Sequence, residues 1–182
     1  MNHQDWNIFP GIRYGAVALF SGQLSNQRAR IWPNVPGILI SPDRIHPVLL
    51  EYAKHDPDAT VRQWAVEGMR YLGKNEALDD LFESFTEDPS NNVRERAGCN
   101  LSDCGNFTRL ERMRMVPKFL DVVADSSTNA QMKNWSYLAL REITDANVPS
   151  DPQAWRKWYR EHGPEKLGEF ERLDWWKVRG DE

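Results

Sequence analysis

Residues 55–73 read HDPDATVRQWAVEGMRYLG, and residues 87–105 read EDPSNNVRERAGCNLSDCG. An Asp-Pro pair, a Val-Arg pair, an alanine and a closing glycine recur in the second stretch after a fixed shift of 32 positions. In both copies, apolar residues spaced by four, four and three positions form one stripe on a helix of 3.6 residues per turn. A repeat of this kind predicts helical hairpins that stack on one another, because one hairpin cannot bury its apolar face alone.

The same apolar stripe occurs three times along the chain. Its members are Val61, Ala65, Met69 and Leu72, then Val93, Ala97, Leu101 and Cys104, then Met132, Ser136, Leu140 and Ile143. Asp or Ser followed by Pro marks the expected helix starts, because Asp and Ser cap free backbone N–H groups and Pro suits the first turn. These pairs are Ser41-Pro42, Asp56-Pro57, Asp88-Pro89 and Asp151-Pro152. The sequence therefore predicts an all-α fold with hairpins at about 42–73, 74–105 and 108–145.

Two further segments complete the predicted organisation. Residues 1–41 are interpreted as an atypical N-terminal cap, and residues 150–182 as C-terminal capping helices. Such caps are expected because the end repeats of a stack have no neighbour to cover their apolar faces. The chain contains eight tryptophans, and Trp155 and Trp158 share a helix face in the second segment. Large buried rings of this kind predict a Trp-rich C-terminal cap.

Composition and charge exclude several classes of protein. A chain of 182 residues with 40% apolar and 27% charged residues is long enough for one sizeable core and is not disordered in composition. The net charge of −4 gives no reason to expect binding to nucleic acid or to an acidic membrane. No apolar run approaches the roughly 18 residues that cross a bilayer, and the N-terminus lacks a signal-peptide pattern. We therefore expect a cytoplasmic protein without membrane contact, and find no signal for oligomerisation.

The residue types needed for catalysis or metal binding do not occur at matching spacing. FSGQLS is not a nucleophile elbow, and GIRYGA lacks the glycine spacing of a phosphate-binding loop. The four histidines are scattered, and Cys99 and Cys104 are expected to be small buried core residues. The acidic stretch NEALDDLFESFTED, residues 75–88, also carries an apolar stripe, which predicts that most of its carboxylates face solvent. The sequence therefore indicates no catalytic residues, no metal site and no cofactor.

The two quoted stretches resemble HEAT repeats, in the short form also found in phycobilin-lyase-type proteins. The matching residues are Asp56-Pro57, Val61-Arg62, Ala65 and Gly73, then Asp88-Pro89, Val93-Arg94, Ala97 and Gly105. The resemblance covers roughly residues 42–162 and implies a right-handed α-α superhelix, or solenoid. The tail LALREITDANVPSDPQAWRKWYREH is similar to the ends of bacterial HEAT-repeat proteins.

The resemblance also implies a structural ladder between neighbouring repeats. In HEAT repeats, the Asp of the inter-helix turn and the Arg six residues later form hydrogen bonds between repeats. That role would fall to Asp56 with Arg62 and to Asp88 with Arg94. The third copy departs from the pattern, because Ser127, Thr128 and Lys133 stand where Asp, Pro and Arg would be.

The resemblance further implies that partners bind the concave side, which the second helix of each hairpin lines. The candidate partner-binding residues are those outside the apolar stripe: Gln63, Trp64, Glu67, Arg70, Glu95, Arg96, Asn134, Trp135 and Arg141. Trp64 and Trp135 occupy the same repeat position, with Arg96 in the repeat between them. Trp and Arg are typical of binding hot spots, although both indoles are equally well explained by packing against the next helix.

The function expected from these observations is non-catalytic protein binding, as a scaffold, an adaptor or an immunity-type inhibitor in bacteria. Residues 41–105 carry 13 acidic and 7 basic residues, which favours a basic protein partner. The basic run RLERMRMVPK is short, and the whole chain is acidic, so nucleic acid is not the expected partner. The alternative is an enzyme on the same scaffold, such as a phycobilin-lyase-like subunit or an alkylpurine DNA-glycosylase-like protein.

Overall fold

The computed structural model of the protein describes residues 42–71, 75–104 and 107–173. These residues form helices and the connections between them, and no strand occurs among them, which confirms the all-α class. The helices are α1 (Pro42–His55), α2 (Ala59–Met69), α3 (Asn75–Glu87), α4 (Asn91–Cys99), a π-helical turn (Asn100–Cys104), α5 (Arg109–Met113), α6 (Val116–Ala124), α7 (Ala130–Thr144) and α8 (Pro152–Leu173). The predicted N-terminal cap over residues 1–41 lies outside the described residues, as do Leu72, Gly73 and Gly105.

The described residues fall into two compact units, one ending at Ala97 and the other beginning at Gly98. In the first unit, α1 packs on α2 and on α3, and α2 also contacts α3. The predicted stripe of the first two copies is buried at each first-unit position that the structure describes, and α3 adds its own buried face. These buried residues are Val61, Ala65, Met69, Val93, Ala97, Leu78, Leu81 and Phe85.

The two Asp-Pro pairs of the first unit precede their helices rather than cap them. Asp56 Oδ1 accepts a hydrogen bond from the backbone N–H of Asp58 at 2.8 Å, and Asp88 Oδ1 accepts one from Ser90 N–H at 2.7 Å. Each aspartate thus closes a turn with the residue two positions on, a common use of Asp in loops. Asp58 is the N-cap of α2, since its carboxylate accepts from Thr60 N–H at 2.8 Å. The expected helix starts at these two pairs are therefore two to three residues too early.

In the second unit, α6 and the π-helical turn pack on α7, while α8 packs on α5 and α6. The third apolar stripe is buried as predicted, at Met132, Ser136, Leu140 and Ile143. Asp151 caps α8 by accepting from Ala154 N–H at 2.6 Å, with Pro152 in the first turn as expected. Trp155 of α8 is fully buried, and its ring meets that of Trp158 edge-on, with centroids 5.7 Å apart.

The first helix of the third hairpin, predicted as one element, is two helices. It breaks at Arg114 and Met115, just before Pro117 in the first turn of α6. Proline lacks the N–H that would continue the preceding helix, and its ring crowds the residue before it, so a helix restarts there more readily than it continues. Cys99 is half-buried, so the expectation that it is a buried core residue is wrong. Cys99 corresponds to Glu67 after the 32-residue shift, a position beside the stripe rather than in it.

Within the part of the chain that the structure describes, no helix combines the length and the apolar character that a membrane span requires.

Candidate functional site

The turn before α4 holds an ion pair that is more buried than any other between described residues of the first unit. Arg62 Nε donates to Asp88 Oδ2 at 2.7 Å and one Arg62 Nη donates to Asp88 Oδ1 at 3.1 Å, so the pair is bidentate. The other Nη donates to the backbone carbonyl of Asp56 at 2.8 Å. The guanidinium therefore ties the turn of its own repeat to the turn of the next one, and Asp88 raises the pKa of Arg62. Arg62 and Asp88 belong to the architecture and are not available to a partner.

Arg94 repeats half of this arrangement. Its Nη1 donates to the backbone carbonyl of Asp88 at 2.5 Å, as Arg62 does to Asp56, and its Nη2 contacts Asn91 Oδ1. Both contacts lie within its own repeat. The predicted pairs Asp56 with Arg62 and Asp88 with Arg94 therefore meet through the backbone carbonyl of the aspartate, whereas the carboxylate contact of Arg62 goes to Asp88.

Asp125 is a turn residue that the sequence reasoning missed. Its Oδ1 accepts from Ser127 N–H at 2.8 Å, the same contact that Asp56 and Asp88 make with the residue two positions on. The backbone N–H and the hydroxyl of Ser127 lower the pKa of Asp125. Aligning the third copy on its apolar stripe placed Ser127 at the aspartate position, because this turn is two residues longer than in the first two copies. The signal in the sequence is the spacing of Asp125 and Ser127, because an Asp often accepts from the backbone N–H two positions later in a turn.

The candidate surface of the first unit consists of the second helices of its hairpins, α2 and α4. Trp64 is exposed, with 37% of its surface accessible, and Gln63 beside it is half-buried. Glu67 lies one turn after Trp64, and its Oε1 is 2.9 Å from an Nη of Arg70. Arg70 in turn donates to the hydroxyl of Tyr71 at 2.5 Å. These contacts fix the Arg70 guanidinium on the surface of α2.

Arg96 of α4 reaches the same carboxylate from the neighbouring hairpin. Its Nε lies 3.7 Å from Glu67 Oε2, a loose ion pair, and 40% of its side chain is exposed. Glu95 next to it is exposed. Trp64, Glu67, Arg70 and Arg96 thus form one cluster on the first unit, which we call the α2/α4 cluster. It joins an exposed indole, two guanidinium groups and one carboxylate.

The candidate residues of the second unit lie on α7. Asn134 is exposed and Trp135 is half-buried, whereas Leu138 is 53% exposed. The guanidinium of Arg141 donates to the backbone carbonyl of Val148, at 3.3 and 3.2 Å, and to Ser150 Oγ at 2.7 Å. Arg141 therefore holds the connection between α7 and α8.

Two carboxylates of α3 are engaged by α1, which sequence reasoning did not predict. His46 Nε2 is 2.7 Å from Asp80 Oδ2, and Lys54 Nζ donates to Glu83 Oε2 at the same distance. The hydrogen bond to Glu83 raises the pKa of Lys54. A shallow depression of about 220 Å³ lies between the C-terminal ends of α1 and α3, and Glu83 lines it together with Glu87. Of the six carboxylates in residues 75–88, three are exposed, those of Glu76, Asp79 and Glu87, so the expectation that most of them face solvent is met by only half of the set.

The basic run at residues 109–118 is largely engaged in the second unit. Arg112 is buried and donates to the carbonyls of Ser102 and Asp103, both at 3.0 Å, at the end of the π-helical turn. Arg109 pairs with Asp145 at 2.6 Å. These arginines stabilise the fold of their own unit. Among the described residues, no group of three or more His, Cys, Asp or Glu side chains is arranged to hold a metal ion.

Comparison with known proteins identifies the repeat. A family model for HEAT repeats matches residues 38–102, which include the whole of the first quoted copy and the second as far as Ser102. The recognition of HEAT repeats is thereby confirmed for this part of the chain. The search of curated proteins and the search of solved structures both returned no significant match.

Proposed function

We propose that this chain, whose residues 38–102 are HEAT repeats, is a non-catalytic protein-binding module of the bacterial cytoplasm. Its roles would be those of a scaffold, an adaptor or an immunity-type inhibitor. HEAT repeats are often protein-interaction modules, which supports the general class. The contact surface proposed is formed by the second helices of the hairpins, α2 and α4 in the first unit and α7 in the second.

The observation that carries this proposal is the exposure of large apolar side chains on those helices. Among the described residues, the exposed large apolar side chains are Val48, Trp64 and Leu138, and two of the three lie on second helices. Trp64 stands beside arginines in the α2/α4 cluster, and tryptophan and arginine are enriched among residues that dominate binding energy. Trp135 and Arg96 complete the set of candidate anchors.

The proposed architecture is a right-handed superhelix with a Trp-rich C-terminal cap. Within the second unit, α8 packs on α5 and α6 and its Trp155 is buried, which supports a capping role for that helix. The proposed partner includes a basic surface that would meet α3, because α3 carries five acidic and no basic residues.

The test is a pull-down with the full chain from the native cell, followed by mass spectrometry. A Trp64→Ala/Arg96→Ala/Trp135→Ala variant is expected to lose the captured partner while its helical circular dichroism and melting temperature stay close to wild type. A Trp158→Ala/Arg160→Ala variant on α8 is the matched control, because it removes the same residue types elsewhere, and it should keep the partner. Equal capture by all three proteins would refute this assignment of the binding surface.

A further inference from the structure

We infer that the α2/α4 cluster binds an acidic segment of a protein partner, whose carboxylate pairs with Arg96 while a neighbouring apolar side chain packs on Trp64. This inference rests on the proposed function and specifies the chemistry of the segment that binds there. It differs from the basic surface proposed for α3, which concerns the first helices of the hairpins.

The charges of the first unit are segregated between first and second helices. Of the two first helices, α3 carries five acidic residues and no Lys or Arg. In α1, two acidic residues are balanced by one Arg and one Lys. The second helices, counted with Arg70 directly after α2, carry four arginines against Glu67 and Glu95. Asp88 neutralises the buried Arg62, so Arg70, Arg94 and Arg96 remain against these two glutamates and leave α2 and α4 a small positive excess, although the unit as a whole is acidic. Charge complementarity on this side favours an acidic ligand.

Of these four arginines, Arg96 has the guanidinium that is available to a ligand. Arg62 is bidentate on Asp88, and Arg94 is held by the carbonyl of Asp88 and by Asn91. Arg70 is fixed between Glu67 and Tyr71. Arg96 makes one loose contact, through Nε to Glu67 at 3.7 Å, and in the described part of the chain its two Nη groups make no hydrogen bond.

Glu67 orients the guanidinium of Arg96 but leaves its Nη groups without a hydrogen-bond acceptor among the described residues. One oxygen of Glu67 is 2.9 Å from Arg70, so this carboxylate is already shared between two cations and the cluster keeps a net positive charge. The Nη edge of a guanidinium matches a carboxylate in a bidentate pair, which adds direction as well as energy. Arg96 is therefore positioned to receive a second carboxylate from outside.

Trp64 adds an apolar requirement to the ligand. It precedes Glu67 by one helical turn, so the two side chains are neighbours on the surface of α2. Because Arg96 reaches Glu67, the indole and the guanidinium flank the same carboxylate. A segment with Asp or Glu close to an aromatic or aliphatic residue would satisfy both groups at once.

The experiment is selection of a displayed random-peptide library on the full-length chain, followed by fluorescence anisotropy with the selected peptides. The expected result is enrichment of Asp or Glu next to an aromatic or aliphatic residue. Arg96→Ala should weaken binding of such a peptide about tenfold or more, and Arg96→Lys should restore only part of it, because Lys keeps the charge but not the bidentate geometry. The matched control is Arg160→Ala on α8, which should bind as wild type.

The Glu67→Gln variant distinguishes a negatively charged ligand from a positively charged one. For an acidic peptide it removes the internal competitor for Arg96, so affinity should rise severalfold, whereas for a basic peptide it removes an attractive charge and affinity should fall. Enrichment of Lys or Arg, or a lack of any enriched peptide sensitive to Arg96→Ala, would overturn the inference. If basic peptides are selected and still depend on Trp64, the proposed binding surface stands and its acidic ligand does not. If native capture is also insensitive to Trp64 and Arg96, the proposed function itself fails.

Discussion

Replacing Asp88 with alanine should destabilise the first unit more than any surface substitution. The side chains of Arg62 and Asp88 are 9% and 4% exposed, and two hydrogen bonds of 2.7 and 3.1 Å join them. Removing the carboxylate leaves a buried guanidinium without its counter-charge and deprives Ser90 N–H of its acceptor. Breaking a buried pair in this way costs about 3–5 kcal/mol.

The pair itself is measured by a double-mutant cycle of Asp88→Ala, Arg62→Met and both together, with urea unfolding of the full chain followed by circular dichroism. Since each single change strands a buried charge, the double variant should lose less than the sum, with a coupling of about 2–3 kcal/mol. Lys54 and Glu83 provide the control cycle. Their contact is also 2.7 Å long, but the side chains are 33% and 42% exposed, so the coupling expected is about 0.2–1 kcal/mol.

Additive losses within about 0.5 kcal/mol for Arg62 and Asp88 would refute the reasoning. So would equal couplings in the two cycles, because the expected difference arises from burial and not from distance.

Three further predictions concern the second unit. Trp155→Ala should lower the free energy of unfolding by about 3–5 kcal/mol, because the ring is fully buried, whereas Trp158→Ala should lower it clearly less. Thermal unfolding of the two variants makes the comparison, and equal losses would count against a core role of Trp155. Asp125→Asn should lower the melting temperature at neutral pH, because Ser127 holds the folded pKa of Asp125 below its ordinary 3.8. The ionised carboxylate stabilises above that value and the effect is lost as pH falls through the lowered pKa, so the two proteins should converge in strong acid, and a constant difference would contradict this. Leu138→Ser should change stability by less than about 0.5 kcal/mol, since the side chain is 53% exposed, and a larger loss on urea unfolding would mean that it is packed.

The sequence predicted most of the helical framework because the repeat is written in apolar spacing. All four members of the third stripe are buried, including Ser136, whose hydroxyl donates to the carbonyl of Met132 at 2.9 Å. The helix boundaries were predicted less accurately, because the carboxylate of Asp56 accepts a backbone N–H equally well at a helix N-cap and in a turn. The break before α6 has its signal in Pro117, which apolar spacing alone does not take into account.

For the candidate surface, periodicity indicated which residues lie outside the apolar stripe but not which contacts they make. Periodicity placed Trp64 and Arg96 outside the stripe, yet it does not say that Glu67 holds Arg96 from the neighbouring hairpin. Arg141 occupied a comparable position in sequence and holds the connection to α8. The difference arises from a carbonyl seven residues away, which no spacing rule for helices includes.

The contact from Arg62 to Asp88 also sets a unit of length for this chain. Arg62 binds the carboxylate that stands 32 positions after Asp56, at the far end of one complete hairpin step. One residue inserted into α3 would rotate the later part of that helix by about 100° and advance it by about 1.5 Å, which moves the carboxylate out of reach. A copy of residues 56–87 inserted in tandem would bring its own Asp56 and Arg62. Each Arg62 would then again face the aspartate of the repeat that follows it. Insertion of a whole repeat therefore preserves this ion pair, whereas insertion of a single residue breaks it.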